Sequence, residues 1–396
     1  MNNGNLRRSN KIGEGRSKKN FKTFMITISF FILAIAAAVF ISKGMNSERA
    51  MFLVGTKNND RFAIPRAHAE KPIPAFASKA VPEVQTTIKI SAAGDFTLGT
   101  DETFGYSDSF DIEAQNNGLE YFGAGLQDIF KEDDFTTVNL ETTLTTATEK
   151  AEKKFRFKGD PAYAKILKME GIEAVNLANN HIFDYLEKGY EDTIASLEKE
   201  KIAYFGYDNL YITEIKGVKI GCLGYEGWSD TIEMRNKVSQ DIQELRDQGV
   251  QIVLVQYHWG NERQYVPHQG QQSLGRYTID NGADLVLGHH PHVVQGIEEY
   301  KGKFIVYSLG NFMFGGNRNP DDKDTFVFQQ TFHLKNGELT ETKEINVVPF
   351  SISSVSTRNN YQPTMLTGEE GERVKQKIID VSKEIHGADW LVYEQK

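Results

Sequence analysis

Metal-capable side chains recur in this chain at one kind of place, immediately after a short apolar run. Asp95 follows Thr87–Ala93, Glu141 ends Asp133–Leu140, Asn180-His181 follows Glu173–Ala178, His258 follows Gln251–Tyr257, and the tract Gly288-His289-His290-Pro291-His292 follows Ala283–Leu287. Five of the nine histidines (181, 258, 289, 290 and 292) fall at these points, which makes chance placement a poor explanation. Oxygen and nitrogen donors mixed in this way suit Mn, Fe, Zn or Mg rather than ions that seek thiolates. One or two such divalent ions activate a water and clamp a phosphate-like oxyanion.

Each signal alone has a plainer reading. Gly94-Asp95 is also a turn dipeptide, in which Asp bonds local backbone. Glu141 is also a cap for Thr142-Thr143, and Asn179-Asn180 are residues that tolerate a left-handed turn. His258 beside Trp259 is also a satisfied core histidine. Three histidines within five residues are harder to explain without a metal. The metal-capable residues at these points are Asp95, Glu141, Asn180, His181, His258, His289, His290 and His292, and spacing leaves His289 and His290 interchangeable as ligands. Asn179, Trp259, Glu262, His289 and Asn311 are candidates for the pocket around them.

The elements that position these residues follow from periodicity. The runs ending at Asp95, Glu141, Asn180, His258 and His289 read as strands. Pro161–Glu170, Glu187–Lys201, Met234–Gln248 and Gln271–Asn281 read as helices, with Pro161 suited to a first helical turn. Lys216-Gly217 and Asn336-Gly337 separate paired strands and read as hairpin turns. Alternating strands and helices predict a layered α/β domain, and in such sheets ligands bind beyond the carboxyl ends of the strands. Residues distant in sequence are thereby expected to meet at one edge.

Charge divides the chain. Residues 1–22 carry seven basic residues and one acidic, a net +6 against −9 for the whole, which leaves −15 for the rest. A basic head on an acidic body fits a membrane-crossing chain and speaks against a nucleic-acid partner. Phe24–Ile41 is uncharged and apolar apart from Thr27 and Ser29, and the 20 residues between Lys22 and Lys43 would span about 30 Å as a helix. Residues 1–22 are expected in the cytoplasm, 23–43 as a single uncleaved transmembrane anchor, and everything beyond outside the cell. The rival reading is a cleaved signal peptide, but its small-residue site Ala34-Ile35-Ala36 lies inside the apolar run. Residues 44–85, with four prolines, read as a stalk; 86–350 form the main domain; 351–396 read as a peripheral C-terminal segment. The lone cysteine, Cys222, sits in an apolar run and reads as a buried small hydrophobe.

The motifs Ala93-Gly94-Asp95, Asn139-Leu140-Glu141, Leu177-Ala178-Asn179-Asn180-His181, His258-Trp259-Gly260, Gly288-His289-His290-Pro291-His292 and Ser308-Leu309-Gly310-Asn311-Phe312 resemble, in this order, those of the CapA (PgsA-type) family of poly-γ-glutamate capsule synthesis proteins. That resemblance implies a calcineurin-like metallophosphoesterase fold, a four-layer α/β/β/α sandwich. It also implies partners in a capsule synthase's membrane subunits and the poly-γ-glutamate polymer. By the same analogy the six candidate ligands are Asp95 and Glu141 as metal-binding carboxylates, Asn180 as an amide ligand, and His258, His290 and His292 as histidine ligands. His181 stands for the proton donor, with Asp184 to orient it. Thr97 stands where the superfamily has a histidine, and Asn179 where it has a glycine. The activity implied is a metal-dependent hydrolase or transferase; the alternatives are a non-enzymatic subunit that binds polymer or partners, and a stand-alone phosphoesterase.

Overall fold

The computed structural model describes residues 83–395. The tail, the transmembrane anchor and nearly all of the stalk expected above lie outside the described residues. Among the described residues no helix is long and apolar enough to cross a membrane.

Among the described residues, seventeen strands and six α-helices follow in chain order. They begin with β1 (Gln85–Thr97), β2 (Thr100–Asp101), α1 (Phe110–Asn117), β3 (Phe135–Leu140), β4 (Thr143–Leu144), β5 (Phe157–Gly159), α2 (Ala164–Glu170), β6 (Ala174–Asn176) and α3 (Leu186–Glu200). The middle of the chain gives β7 (Ala203–Phe205), β8 (Tyr211–Ile215), β9 (Val218–Gly227), α4 (Ile232–Asp247), β10 (Ile252–Trp259), α5 (Gln269–Asp280) and β11 (Leu285–His289). The rest is β12 (Ile297–Tyr300), β13 (Lys303–Val306), β14 (Asn311–Phe314), β15 (Asp324–Lys335), β16 (Glu338–Ser351), β17 (Thr364–Met365) and α6 (Gly368–Ile385).

The strands form two large mixed sheets. One has the order β17-β16-β15-β1-β3-β6-β7, with β14 also pairing to β1; the other has the order β12-β13-β11-β10-β9-β8. A small third sheet, β2-β5-β4, stands beside them. Strand alternation explains the layering. In β10, Ile252 and Leu254 face β1 and β3 in a core shared by both sheets, together with Ile90, Phe135 and Leu287. Val253, Val255, Tyr257 and Trp259 face the other way, against Val238 and Ile242 of α4 and Leu274 of α5. On the far side of the first sheet, Val138 and Val175 meet Phe110 of α1, Ile166 of α2 and Leu197 of α3. Helices therefore cover both outer faces, and the central strands β3 and β10 are buried along their whole length. The layered α/β architecture expected from periodicity is present.

Local signals act where expected and in some places differently. Lys216-Gly217 and Asn336-Gly337 have positive φ at both residues, the type I′ pattern whose twist matches a hairpin. Helix α5 starts on a capping box in which His268 and Gln271 bond each other's backbone. Pro161 opens a 3-10 turn, Pro161–Tyr163, that runs on into α2. The segment 351–396 is not peripheral: Val374 and Ile378 of α6 and Trp390 join the core between the sheets. Its polar composition hid this because an amphipathic helix buries only one stripe.

Leu254 is fully buried between the sheets. Leu254→Ala is expected to lower unfolding stability by about 2–5 kcal/mol in chemical denaturation. Burial also pushes the Cys222 thiol far above its ordinary range. It is expected to resist a thiol-specific colorimetric reagent in the folded chain and to react stoichiometrically in denaturant.

Candidate metal centre

In the first sheet β1, β3 and β6 run parallel, with Asp95, Asn139 and Asn176 side by side in register. In the second, β10 and β11 run parallel and pair His258 with His289. Both sheets therefore present their carboxyl ends at the same edge, where the hydrogen bond His258 Nε2···Asn180 Oδ1 (2.7 Å) joins them. A bulge aims Asp95. The register of β1 against β3 shifts between Ala92 and Asp95, so that Ala92 lies in the core between the sheets while Ala93 and Phe96 both face the helices. Gly94 permits the close approach that follows: a Cβ there would lie 2.0 Å from the carbonyl oxygen of Gly310. The Asp95 amide donates to that same oxygen (2.9 Å), which brings Asn311 beside the site.

Three carboxylates, Asp95, Glu141 and Asp184, are fully buried here, and their surroundings differ. Asp95 accepts from Asn139 Nδ2 at 2.8 Å and from the His290 amide at 3.2 Å. Burial alone would raise its pKa, but contacts with His289 and His292 hold it well below the ordinary carboxylate range. Asp184 accepts from Lys153 Nζ (2.6 Å), the Phe157 amide (2.6 Å) and His181 Nδ1 (2.7 Å). Glu141 has no hydrogen-bond partner on either carboxylate oxygen. Burial pushes its pKa well above the ordinary value; the His292 charge opposes this, and Asp95 and Asp184 add to it.

The histidines surround Glu141. Its Oε1 lies 3.4 Å from His258 Nε2, 3.8 Å from His292 Nε2 and 4.0 Å from His181 Nε2. Burial holds His258 well below its ordinary pKa and lowers His290 to about 3, so both are neutral. Burial would do the same to His292, but Glu141 and Asp95 raise it to about 9. Burial likewise lowers His181, against the pull of Asp184. His290 and His292 have φ of 93° and 56°, conformations in which L-residues are strained, so the turn after β11 holds both rings in place at a local cost. His289 is fully buried and lacks a hydrogen-bond partner on both ring nitrogens, as does His290 on Nδ1.

Ligand atoms of Glu141, His290 and His292 lie within 4.8 Å of one another. A buried carboxylate without a donor, set among imidazoles of which His258 and His290 are neutral, is an environment that a divalent cation would stabilise. The residues fit such an ion. Beside them a cavity of about 390 Å³ is lined by His181, His292, Asn311 and Glu262, with aromatic walls from Phe155 and Phe157.

All six candidate ligands converge here, and so do His181, Asp184, His289 and Asn311. Glu262 is exposed on the cavity wall. Asn179 points into the fold, where its amide bonds Leu140 O (2.9 Å) and Asn139 Oδ1 (3.3 Å) and pins the loop that carries His181. Trp259 does not line the pocket. It stacks on Tyr257 at 4.5 Å and donates to the Tyr307 carbonyl, on the helix-covered face of β10. Consecutive strand residues point to opposite faces, so a site at His258 turns Trp259 away from it.

Sequence reading passed over Asn139, Lys153, Phe157 and Trp228. Asn139 donates to Asp95 and to His258 Nδ1 (3.2 Å) and accepts from Asn176 Nδ2 (3.0 Å). The asparagines clustered at the ends of β3 and β6 were the available signal. Phe157 lies tilted against His181, ring centroids 4.2 Å apart, and half-exposed Trp228 meets His290 edge-on at 4.7 Å. Asn139→Ala strips a donor from buried Asp95 and from His258. It is expected to lower stability by about 1–3 kcal/mol in urea unfolding.

Residues 89–316 match the family model described as bacterial capsule synthesis protein PGA_cap. The chain is 29% identical over 307 residues to the capsule biosynthesis protein CapA of Bacillus anthracis, covering 70% of this chain and 71% of that one. It is 31% identical over 263 residues to the PGA biosynthesis protein CapA of Bacillus subtilis (strain 168), covering 60% and 67%. A crystal structure of a hypothetical protein from Thermus thermophilus aligns with 67% of this chain and 99% of its own, at 18% identity and a TM-score of 0.44.

Proposed function

This chain belongs to the CapA-type bacterial capsule synthesis family, and from that premise we propose that it serves poly-γ-glutamate capsule synthesis or export as a membrane-anchored, outward-facing metal-dependent hydrolase or transferase of metallophosphoesterase type. The observation that carries the enzymatic reading is Glu141. It is a buried carboxylate without a hydrogen-bond donor, beside a histidine–aspartate pair and a cavity. The apolar run between Lys22 and Lys43 supports the anchor, and the basic residues before it support a cytoplasmic N-terminus with the main domain outside. The synthase's membrane subunits and the polymer are the partners this reading implies.

The cluster of Asp95, Glu141, Asn180, His258, His290 and His292 would hold the ion. A divalent cation there supplies Lewis-acid charge to an oxyanion and acidifies a water. His181 does the proton work. Its Nδ1 is bonded to Asp184, so Nε2 faces the cavity and exchanges a proton with a leaving or attacking oxygen. Lys153 and the Phe157 amide fill the other lone pairs of Asp184, and the Phe157 ring fixes the imidazole plane. The aromatic wall limits water around the reacting group. The body's net charge of about −15 repels a polyanionic chain unless a cation intervenes, which gives a bound metal a second use.

Replacing the chromosomal gene by Glu141→Ala or His181→Ala is expected to abolish surface polymer while membrane levels of the chain, read by immunoblot, stay unchanged. Chelation of the purified full chain is expected to remove hydrolysis of a phosphoester and γ-glutamyl substrate panel, and one added divalent metal to restore it. Wild-type capsule in the Glu141→Ala strain would establish the scaffold role instead. External protease on intact cells is expected to digest the main domain and leave an N-terminal membrane fragment.

A further inference from the structure

The metal reading above leaves the number of ions open, and the hydrogen bonds around the cluster bear on it. Asp95 and Glu141 are equally buried but unequally occupied. Asp95 spends one oxygen on Asn139 Nδ2 (2.8 Å) and the other on the His290 amide (3.2 Å). His289 Nδ1 stands 3.3 Å from the first oxygen and His292 Nδ1 3.5 Å from the second. Glu141 has both oxygens open.

The histidines divide in the same way. His292 Nδ1 meets Asn311 Oδ1 at 2.8 Å and faces Asp95, while its Nε2 faces Glu141. An imidazole whose Nδ1–H is held by an oxygen acceptor has its Nε2 lone pair fixed for a metal. His290 sits on the same turn with Nδ1 unpartnered. His258, by contrast, is committed at both nitrogens: Nδ1 accepts from Asn139 Nδ2 at 3.2 Å, which leaves Nε2–H to donate to Asn180 Oδ1 at 2.7 Å.

We infer that the site holds one divalent cation, on Glu141, His290 and His292, and that Asp95 is a positioning residue which orients His292 and the His290 backbone rather than a ligand. The His258–Asn180 pair is a closed hydrogen bond that braces the two sheets at the rim of the site. Three protein ligands leave coordination positions open on the cavity side, the arrangement of a catalytic site rather than a structural one. This assignment rests on the metal reading of the same cluster and narrows it.

The test is a count. The full chain, purified in detergent and stripped with chelator, is titrated with Co²⁺. Bound metal is counted by elemental analysis, and the ligand-field absorption is followed. One ion per chain is expected, lost in Glu141→Gln and in His292→Ala. Asp95→Asn is expected to keep one ion per chain with affinity weakened roughly 10–100-fold. His258→Gln is expected to keep both the ion and the shape of the Co²⁺ spectrum. Circular dichroism establishes that each variant is folded, and the count on the unsubstituted chain needs no variant. Two ions per chain would overturn the single-cation assignment and leave the metal reading standing, as would a folded Asp95→Asn chain that binds none. An unsubstituted folded chain that binds no Co²⁺ would overturn both.

Discussion

The site depends on how three buried carboxylates at one edge of a two-sheet sandwich are neutralised. Asp184 has an ammonium, an amide and an imidazole. Asp95 has an asparagine amide, a backbone amide and two imidazoles nearby. Glu141 has only histidine rings, two of which burial keeps neutral. An unpaired carboxylate removed from water is costly enough that it normally takes up a proton or a counter-ion. Two satisfied acids and one unsatisfied one, arranged around a cavity, single out Glu141 as the carboxylate a cation would neutralise.

Such a cluster destabilises the chain, and the rest of the fold must carry it. Left-handed backbone at His290 and His292 adds strain of order 1–3 kcal/mol each. The offset comes from the core shared by the two sheets and from the helix layers outside them, all held without a disulfide. A separate polar tie crosses that core, from Gln256 on β10 to Thr137 on β3 at 2.8 Å, one step inward from His258 and Asn139. It fixes the two sheets relative to each other close to where their ends must meet. Precision at the site thus comes from sheet registry together with the strained turn that holds His290 and His292.

This division explains what was legible in the sequence. Apolar runs ending in Asp95, Glu141, Asn180, His258 and His289 mark strand ends, and parallel strands bring such ends together whatever the loops do. The fold class and the site's membership follow from that. The roles within the site do not, because they depend on partners fixed by register. Asn139 becomes the hub since β1 and β3 align it with Asp95, and a bulge, invisible in the letters, turns Asp95 toward the site. Lys153 arrives from a segment with no periodicity at all. The misplacement of Trp259 is of another kind: strand alternation was available and assigns it to the helix face once His258 is assigned to the site. The same alternation, applied to α6 with helical period, would have placed Val374 and Ile378 inside.

Thr97 completes the argument. It closes β1, two residues beyond Asp95. A threonine there offers a hydroxyl, buried and without a hydrogen-bond partner. The imidazoles of His289 and His292 turn their Nδ1 atoms toward Asp95. On the single-cation assignment Asp95 orients His292, and the ion falls to Glu141, the carboxylate whose two oxygens have no hydrogen-bond partner.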